Sequence, residues 1–137
     1  DQFDLVTCIG VLGIFDEKDA MMLLNELVRC TKPGGEIILF NEFNELDVDR
    51  QVTHRKYNKD GQTIGWEKAW NNYSIKTINL WLKDKVNSLK FIDWHMPIPL
   101  TPKDDLVRSW TIEVENKLRL TNGLKLLIDL KFLKIKV

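Results

Sequence analysis

Leu5-Val6-Thr7-Cys8-Ile9 is a nearly unbroken apolar run, rich in β-branched residues and closed by Gly10 and Gly13. A short run of this kind predicts a strand buried on both faces, as in a parallel sheet covered by helices. The pattern then becomes periodic: Ala20, Leu24, Leu27 and Val28 recur at three- and four-residue steps, with Leu23 beside them, and predict one apolar stripe along a helix. Asp16 stands where a cap is needed. Glu17 and Asp19 suit the first turn, while Arg29 and Lys32 suit the end, the order of charge that the helix dipole favours. Pro33-Gly34-Gly35 stops the helix, and Glu36-Ile37-Ile38-Leu39-Phe40 repeats the buried-strand signature. Strand, loop, helix, tight turn and strand make a βαβ crossover, which implies parallel neighbouring strands.

Beyond Phe40 the pattern loosens. Acidic Glu42, Glu45, Asp47 and Asp49 give way to Arg50, His54, Arg55 and Lys56, then to a turn signal at Asp60-Gly61 and to Trp66 and Trp70. This stretch reads as an excursion with one short helix around Trp66–Asn71. Ser74 can cap a further helix with Ile75, Ile78, Leu82 and Val86 on one face and Trp81 at its flank. Residues 89–96 read as a third strand closed by Pro97, Pro99 and Pro102. Trp110, Ile112 and Val114 alternate with polar residues, Asn116-Lys117 can turn the chain, and Leu118 and Leu120 alternate again, which predicts a hairpin. Positions 107, 110, 114 and 118 also fit one helix face, so both readings stay open. Asn122-Gly123 marks another turn, and residues 130–137 read as a last strand. There is no repeat, low-complexity tract or linker, so a single domain is expected.

Composition narrows the class. The chain has 137 residues, 44% hydrophobic and 29% charged, with 20 basic and 20 acidic side chains. A chain of this length can bury roughly two-thirds of its unfolded surface. No apolar run approaches a membrane span of ~20 residues, and no leader pattern is seen, so no membrane partner is expected. Zero net charge argues against a nucleic-acid partner held by phosphate neutralisation. The charge is nonetheless divided: residues 1–70 carry 8 basic and 13 acidic side chains, residues 71–137 carry 12 and 7. The two halves should attract each other in packing. Cys8 and Cys30 lie in apolar segments without metal-ligand spacing, and are expected to be reduced thiols of a cytoplasmic protein.

Phe-Asp-Leu-Val-Thr-Cys-Ile-Gly-Val-Leu (3–12), an amphipathic helix, and Leu-Val-Arg-Cys-Thr-Lys-Pro-Gly-Gly-Glu-Ile-Ile-Leu (27–39), in this order and at this separation, resemble the second half of a class I S-adenosylmethionine-dependent methyltransferase. The resemblance implies an α/β, Rossmann-like fold, present in part, with a mostly parallel sheet and an antiparallel last strand. It implies that residues 1–137 are the C-terminal part of one such domain, with a substrate-side insertion at about 41–73. The family's Gly-rich cofactor loop and ribose-binding acidic residue have no counterpart in the sequence, since Gly10-Val11-Leu12-Gly13 lacks the GxGxxG spacing. Gly13-Ile14-Phe15 stands where many relatives carry a Glu-His pair. The chain alone is therefore expected to bind cofactor poorly and to be inactive.

Ligands of open α/β sheets bind outside the carboxyl ends of the strands. The resemblance places backbone groups of Cys8, Ile9 and Gly10 near the methionine part of S-adenosylmethionine, with Val11 and Leu12 bordering the reaction centre. Methyl transfer is an in-line displacement driven largely by positioning. Where an acid or base is needed, Glu42 just past a strand end is the candidate, ahead of His54 and His95. Trp66, Trp70 and Tyr73 are candidates for an apolar wall around a small-molecule acceptor, and aromatic faces attract a sulfonium cation. Lys131, Lys134 and Lys136 read as a solvated strand face. Two further readings compete: another nucleotide-binding α/β enzyme, such as a nicotinamide-dependent reductase, and a non-catalytic Rossmann-like partner-binding module.

Overall fold

The computed structural model describes residues 2–68, 70–101, 110–121 and 127–137. Along the chain they form β1 (Phe3–Ile9), a 3-10 turn (Leu12–Ile14), α1 (Glu17–Cys30), β2 (Thr31–Asn44), β3 (Thr53–Tyr57) and β4 (Thr63–Lys68). There follow β5 (Tyr73–Ser74), α2 (Ile75–Leu82), β6 (Ser88–Trp94), β7 (Trp110–Val114), β8 (Lys117–Thr121) and β9 (Leu127–Lys136).

The βαβ unit forms, but β1 is not buried on both faces as its apolar run suggests: Cys8 is buried, whereas Phe3, Leu5 and Ile9 are more than half exposed. The Asp16 carboxylate accepts the Asp19 N–H at 3.1 Å and caps α1, whose Ala20 and Leu24 are buried. β1 then lies parallel to β2, with Val6 opposite Ile37 and Cys8 opposite Leu39. β9 pairs antiparallel with β2 on one side and with β6 on the other, giving the order β1-β2-β9-β6. β1, β2 and β6 therefore point the same way and β9 is reversed between them. The sheet is mixed rather than mostly parallel in its ladders, because the reversed strand sits inside it. This is an α/β fold with a mixed sheet.

Alternation divides the sheet into two unlike faces. Val6, Cys8, Ile37, Leu39, Phe43, Leu133 and Ile135 share one core with Ala20 and Leu24 of α1 and with Ile78 and Leu82 of α2. The opposite face carries Leu5, Ile9, Ile38, Phe40, Ile92 and Phe132. Phe40 stacks on Phe132 at 4.5 Å and meets the edge of Trp94 at 5.7 Å. Leu5 and Ile9 remain 54% exposed there.

The short helix expected around Trp66–Asn71 is corrected: Trp66 lies in β4, which forms an antiparallel hairpin with β3, with Arg55 opposite Trp66. The Asn58 side chain accepts the N–H groups of Asp60 at 3.0 Å and Gln62 at 2.8 Å, so the turn is built by one residue and sets the register. Threonine, tyrosine and tryptophan on either side favour the extended chain. The Arg55 guanidinium lies 5.1 Å from the Trp66 ring centroid and 5.4 Å from that of Tyr57.

α2 ends at Leu82, earlier than its apolar spacing implies, and Asp84 takes a positive φ of 62°. Val86 packs on the core from the turn instead. The hairpin reading holds over Trp110–Thr121, with Glu115 and Asn116 both at positive φ, as a tight two-residue turn requires. Pro102, position 107 and the Asn122-Gly123 turn lie outside the described residues. Glu36 pairs with Lys134 and Lys136, Asp47 with Lys76, and Glu45 with Lys131, so acidic residues of the first half meet basic residues of the second. Among the described residues no helix is long and apolar enough to cross a membrane.

Candidate functional site

The carboxyl end of β1 is fixed against the middle of β2 by the Gly10 N–H, which donates to the Phe40 carbonyl at 2.7 Å. Gly10 itself adopts a φ of +66°, and a Cβ placed there would meet nothing within 4 Å. The backbone at the end of β1 thus turns left-handed beside open space, where a ligand can lie directly against it. Gly10→Ala should therefore fold with the same packing but lose about 1–2 kcal/mol to the left-handed backbone, with Gly10→Asn losing less; thermal melting measures both.

The other residues of this loop separate by direction. The Cys8 side chain enters the core, and burial pushes its thiol pKa up, which keeps it protonated and inert. Ile9 points to the opposite face and is 54% exposed. Val11 leads into the 3-10 turn, where its carbonyl accepts the Ile14 N–H at 3.0 Å. Leu12 is completely buried, so its side chain supports the loop from the core rather than bordering an open reaction centre.

Glu42 lies near the end of β2, on the same face as Phe40. Its Oε2 accepts from the Asn72 amide at 2.9 Å. Arg50 stands close by: burial of its guanidinium lowers its pKa, while the field of Glu42 acts the other way. One Arg50 terminal nitrogen donates to the Trp70 carbonyl at 2.7 Å, and the Arg50 Nε is buried without a partner. Arg50 and Asn72 also exchange backbone hydrogen bonds of 2.8 Å in both directions.

The three aromatic candidates do not share one environment. Trp66 and Trp70 are 67% and 53% exposed, whereas Tyr73 is buried against Trp81, with ring centroids 4.9 Å apart. The Tyr73 hydroxyl donates to the Phe15 carbonyl at 2.8 Å, and burial, reinforced by Asp16, Glu17, Asp49 and Asp19, pushes its pKa up to about 12. Tyr73 is thus a fixed donor inside the fold and not part of a solvent-facing wall. His95 is exposed, and the His54 side chain lies outside the described residues.

Lys131 corrects the reading of a solvated lysine face. It is 1% exposed, and its ammonium donates to Glu45 at 2.6 Å and to Asp93 at 2.5 Å. Lys134 and Lys136 have the other parity on β9 and reach Glu36 on the opposite face. A strand alternates its side chains, so an odd-numbered lysine cannot share the face of its even-numbered neighbours. Desolvation pulls the Lys131 pKa down, but the hydrogen bonds and negative charges of Asp93 and Glu45 together hold it above its ordinary value.

Asn71, Asn72 and Asp49 were not singled out by the sequence. Asp49 accepts the Ser74 N–H and the Thr77 hydroxyl, both at 2.6 Å, and so holds the start of α2. The adjacent amides at 71 and 72 are visible in the sequence, but nothing local marks them as 2% exposed.

Residues 1–39 match the family model described as "Methyltransferase domain". No curated protein is matched. Among solved structures, a chain described as "DhpI-SAH complex structure" is 14% identical with a TM-score of 0.48; the match covers 98% of this chain and 47% of that one. This chain therefore spans about half the length of that structure. The family match falls on the βαβ unit that carries the resemblance noted in the sequence.

Proposed function

We propose that these residues are the C-terminal part of a class I S-adenosylmethionine-dependent methyltransferase domain acting on a small-molecule acceptor, with residues from about 41 to 73 inserted on the acceptor side. The observation that carries this reading is the parallel β1–α1–β2 crossover, in the stretch matching the methyltransferase family, beside a reversed β9 held between β2 and β6. The exposed apolar positions Leu5, Ile9 and Ile92 on one sheet face support a larger domain. Two free thiols, one of them buried, suit a reducing cytoplasm.

The loop fits the cofactor on its chemistry. The backbone at Gly10 is bare on its open side, and the start of α1 carries Asp16, Glu17 and Asp19, whose field favours a cation. Bound there, S-adenosylmethionine supplies an electrophilic methyl group on a sulfonium. Cys8, Ile9 and Gly10 would meet it through their backbone, with Val11 at the rim and Leu12 bracing the turn from below. Glu42, oriented by Asn72, would accept the acceptor's proton or align its nucleophilic atom. Trp66 and Trp70 would provide apolar faces toward the acceptor.

Isothermal titration of S-adenosylmethionine into the complete protein should give binding, and no heat at millimolar ligand would overturn the assignment. Residues 1–137 alone should bind far more weakly. Glu42→Gln should lower turnover about 100-fold with cofactor affinity unchanged; an unaltered rate would remove Glu42 from the chemistry. A labelled-methyl assay on fractionated small molecules supplies the acceptor for that measurement.

A further inference from the structure

Residues 70–74 pass between the loop that follows β1 and the excursion that follows β2, and Asn71 is bonded to both. Its N–H donates to the Gly13 carbonyl at 2.7 Å and its amide nitrogen donates to the Phe15 carbonyl at 2.7 Å. Its amide oxygen accepts the Val52 N–H at 2.8 Å. The Phe15 carbonyl takes a second donor, the Tyr73 hydroxyl, at 2.8 Å. The fit leaves no slack: a Cβ on Gly13 would stand 2.7 Å from the Asn71 carbonyl oxygen, so this contact needs glycine. Next along the chain, Asn72 holds Glu42 and pairs with Arg50.

A residue that is 2% exposed, with both ends of its side-chain amide bonded and its backbone N–H held by Gly13, has essentially one orientation. We propose that Asn71 is a positioning residue for methyl transfer: it sets the 11–15 loop against the cofactor and locks it to residues 50–52 at the base of the acceptor-side hairpin. The proposal rests on the methyltransferase reading above and adds a coupling between its two sides. Through Asn71, a displacement of the excursion has to be carried to the cofactor loop, because both hang on one amide.

Asn71→Asp separates the two arms. The carboxylate keeps the acceptor that Val52 uses but presents an oxygen, not a donor, to the Phe15 carbonyl. Tyr73→Phe removes the second donor to the same carbonyl while its ring can still pack on Trp81. Both variants of the complete protein are titrated with S-adenosylhomocysteine, and amide hydrogen exchange is followed at residues 11–15 and at 37–40. Asn71→Asp should weaken binding about tenfold or more and speed exchange at 11–15, with 37–40 unchanged. Tyr73→Phe should act in the same direction and less strongly, and it decides the question if Asn71→Asp does not fold. If wild type binds and folded variants bind equally well, the proposal is overturned, even where exchange at 11–15 rises. If wild type itself does not bind S-adenosylhomocysteine, the methyltransferase reading fails instead, and this proposal fails with it.

Discussion

Removing both carboxylates from Lys131, by Glu45→Gln together with Asp93→Asn, should lower unfolding free energy at neutral pH by about 3 kcal/mol, because it strands a buried ammonium. Lys131 is 1% exposed, whereas Glu45 and Asp93 are each roughly half exposed, so the cation cannot recover solvent and the anions can. Either single substitution leaves one partner and should cost about 1 kcal/mol. Urea unfolding midpoints for the four proteins give the comparison, and additive single losses that sum to nothing larger would contradict it. The pH profile provides a second check. Hydrogen bonding to Lys131 holds Asp93 below its ordinary 3.8, so its contribution is complete above that value and fades as pH falls through the lowered pKa. Lys131 is held above its ordinary 10.5, so its contribution is complete below that value and fades as pH rises through the raised pKa. The double variant should lose the Asp93 share of the acid limb, and at alkaline pH its dependence should reverse, because an unpartnered buried Lys131 has a lowered pKa and gains stability as it deprotonates.

Phe43→Ala should cost about 3–5 kcal/mol, the range for truncating a fully buried aromatic ring. Phe43 has 0% exposure and meets Phe91 edge-on at 5.4 Å. It also sits opposite Tyr73 in the short β2–β5 ladder, so the cavity would open beside the segment that carries Asn71 and Asn72. Cofactor affinity should consequently fall at temperatures where the variant is still folded. Phe43→Leu, which keeps most of the volume, should cost about 1.5 kcal/mol or less. Calorimetric melting of both variants tests the ordering, and equal losses would show that the ring is not a packing centre.

The predictions differ in how visible their residues were beforehand. Asp16, the stripe Ala20–Leu24–Val28 and the Lys-Pro-Gly-Gly turn announce α1 and β2, because caps, helical spacing and turn residues act over a few positions. The hairpin at 53–68 was harder to read: its turn depends on the Asn58 side chain bonding two backbone groups, while Trp66 and Trp70 are spaced four apart as on a helix. Gly10 is singled out in the sequence by its place after a strand, whereas Glu42, expected just past a strand end, lies inside β2. From the sequence Tyr73 reads as a wall residue, because an aromatic in a polar stretch gives no sign of whether it turns in or out.

The order of apolar and polar residues by itself determined the crossover and the existence of a last strand, since each follows from periodicity over adjacent residues; the reversed direction of that strand came only with the family resemblance. Only the tertiary structure decided that Asn71 bonds Gly13, Phe15 and Val52, that Lys131 is buried while Lys134 is not, and that Tyr73 faces Phe15. Those contacts join residues that are tens of positions apart, and their energies depend on burial and direction, which exist only once the sheet and its helices have assembled.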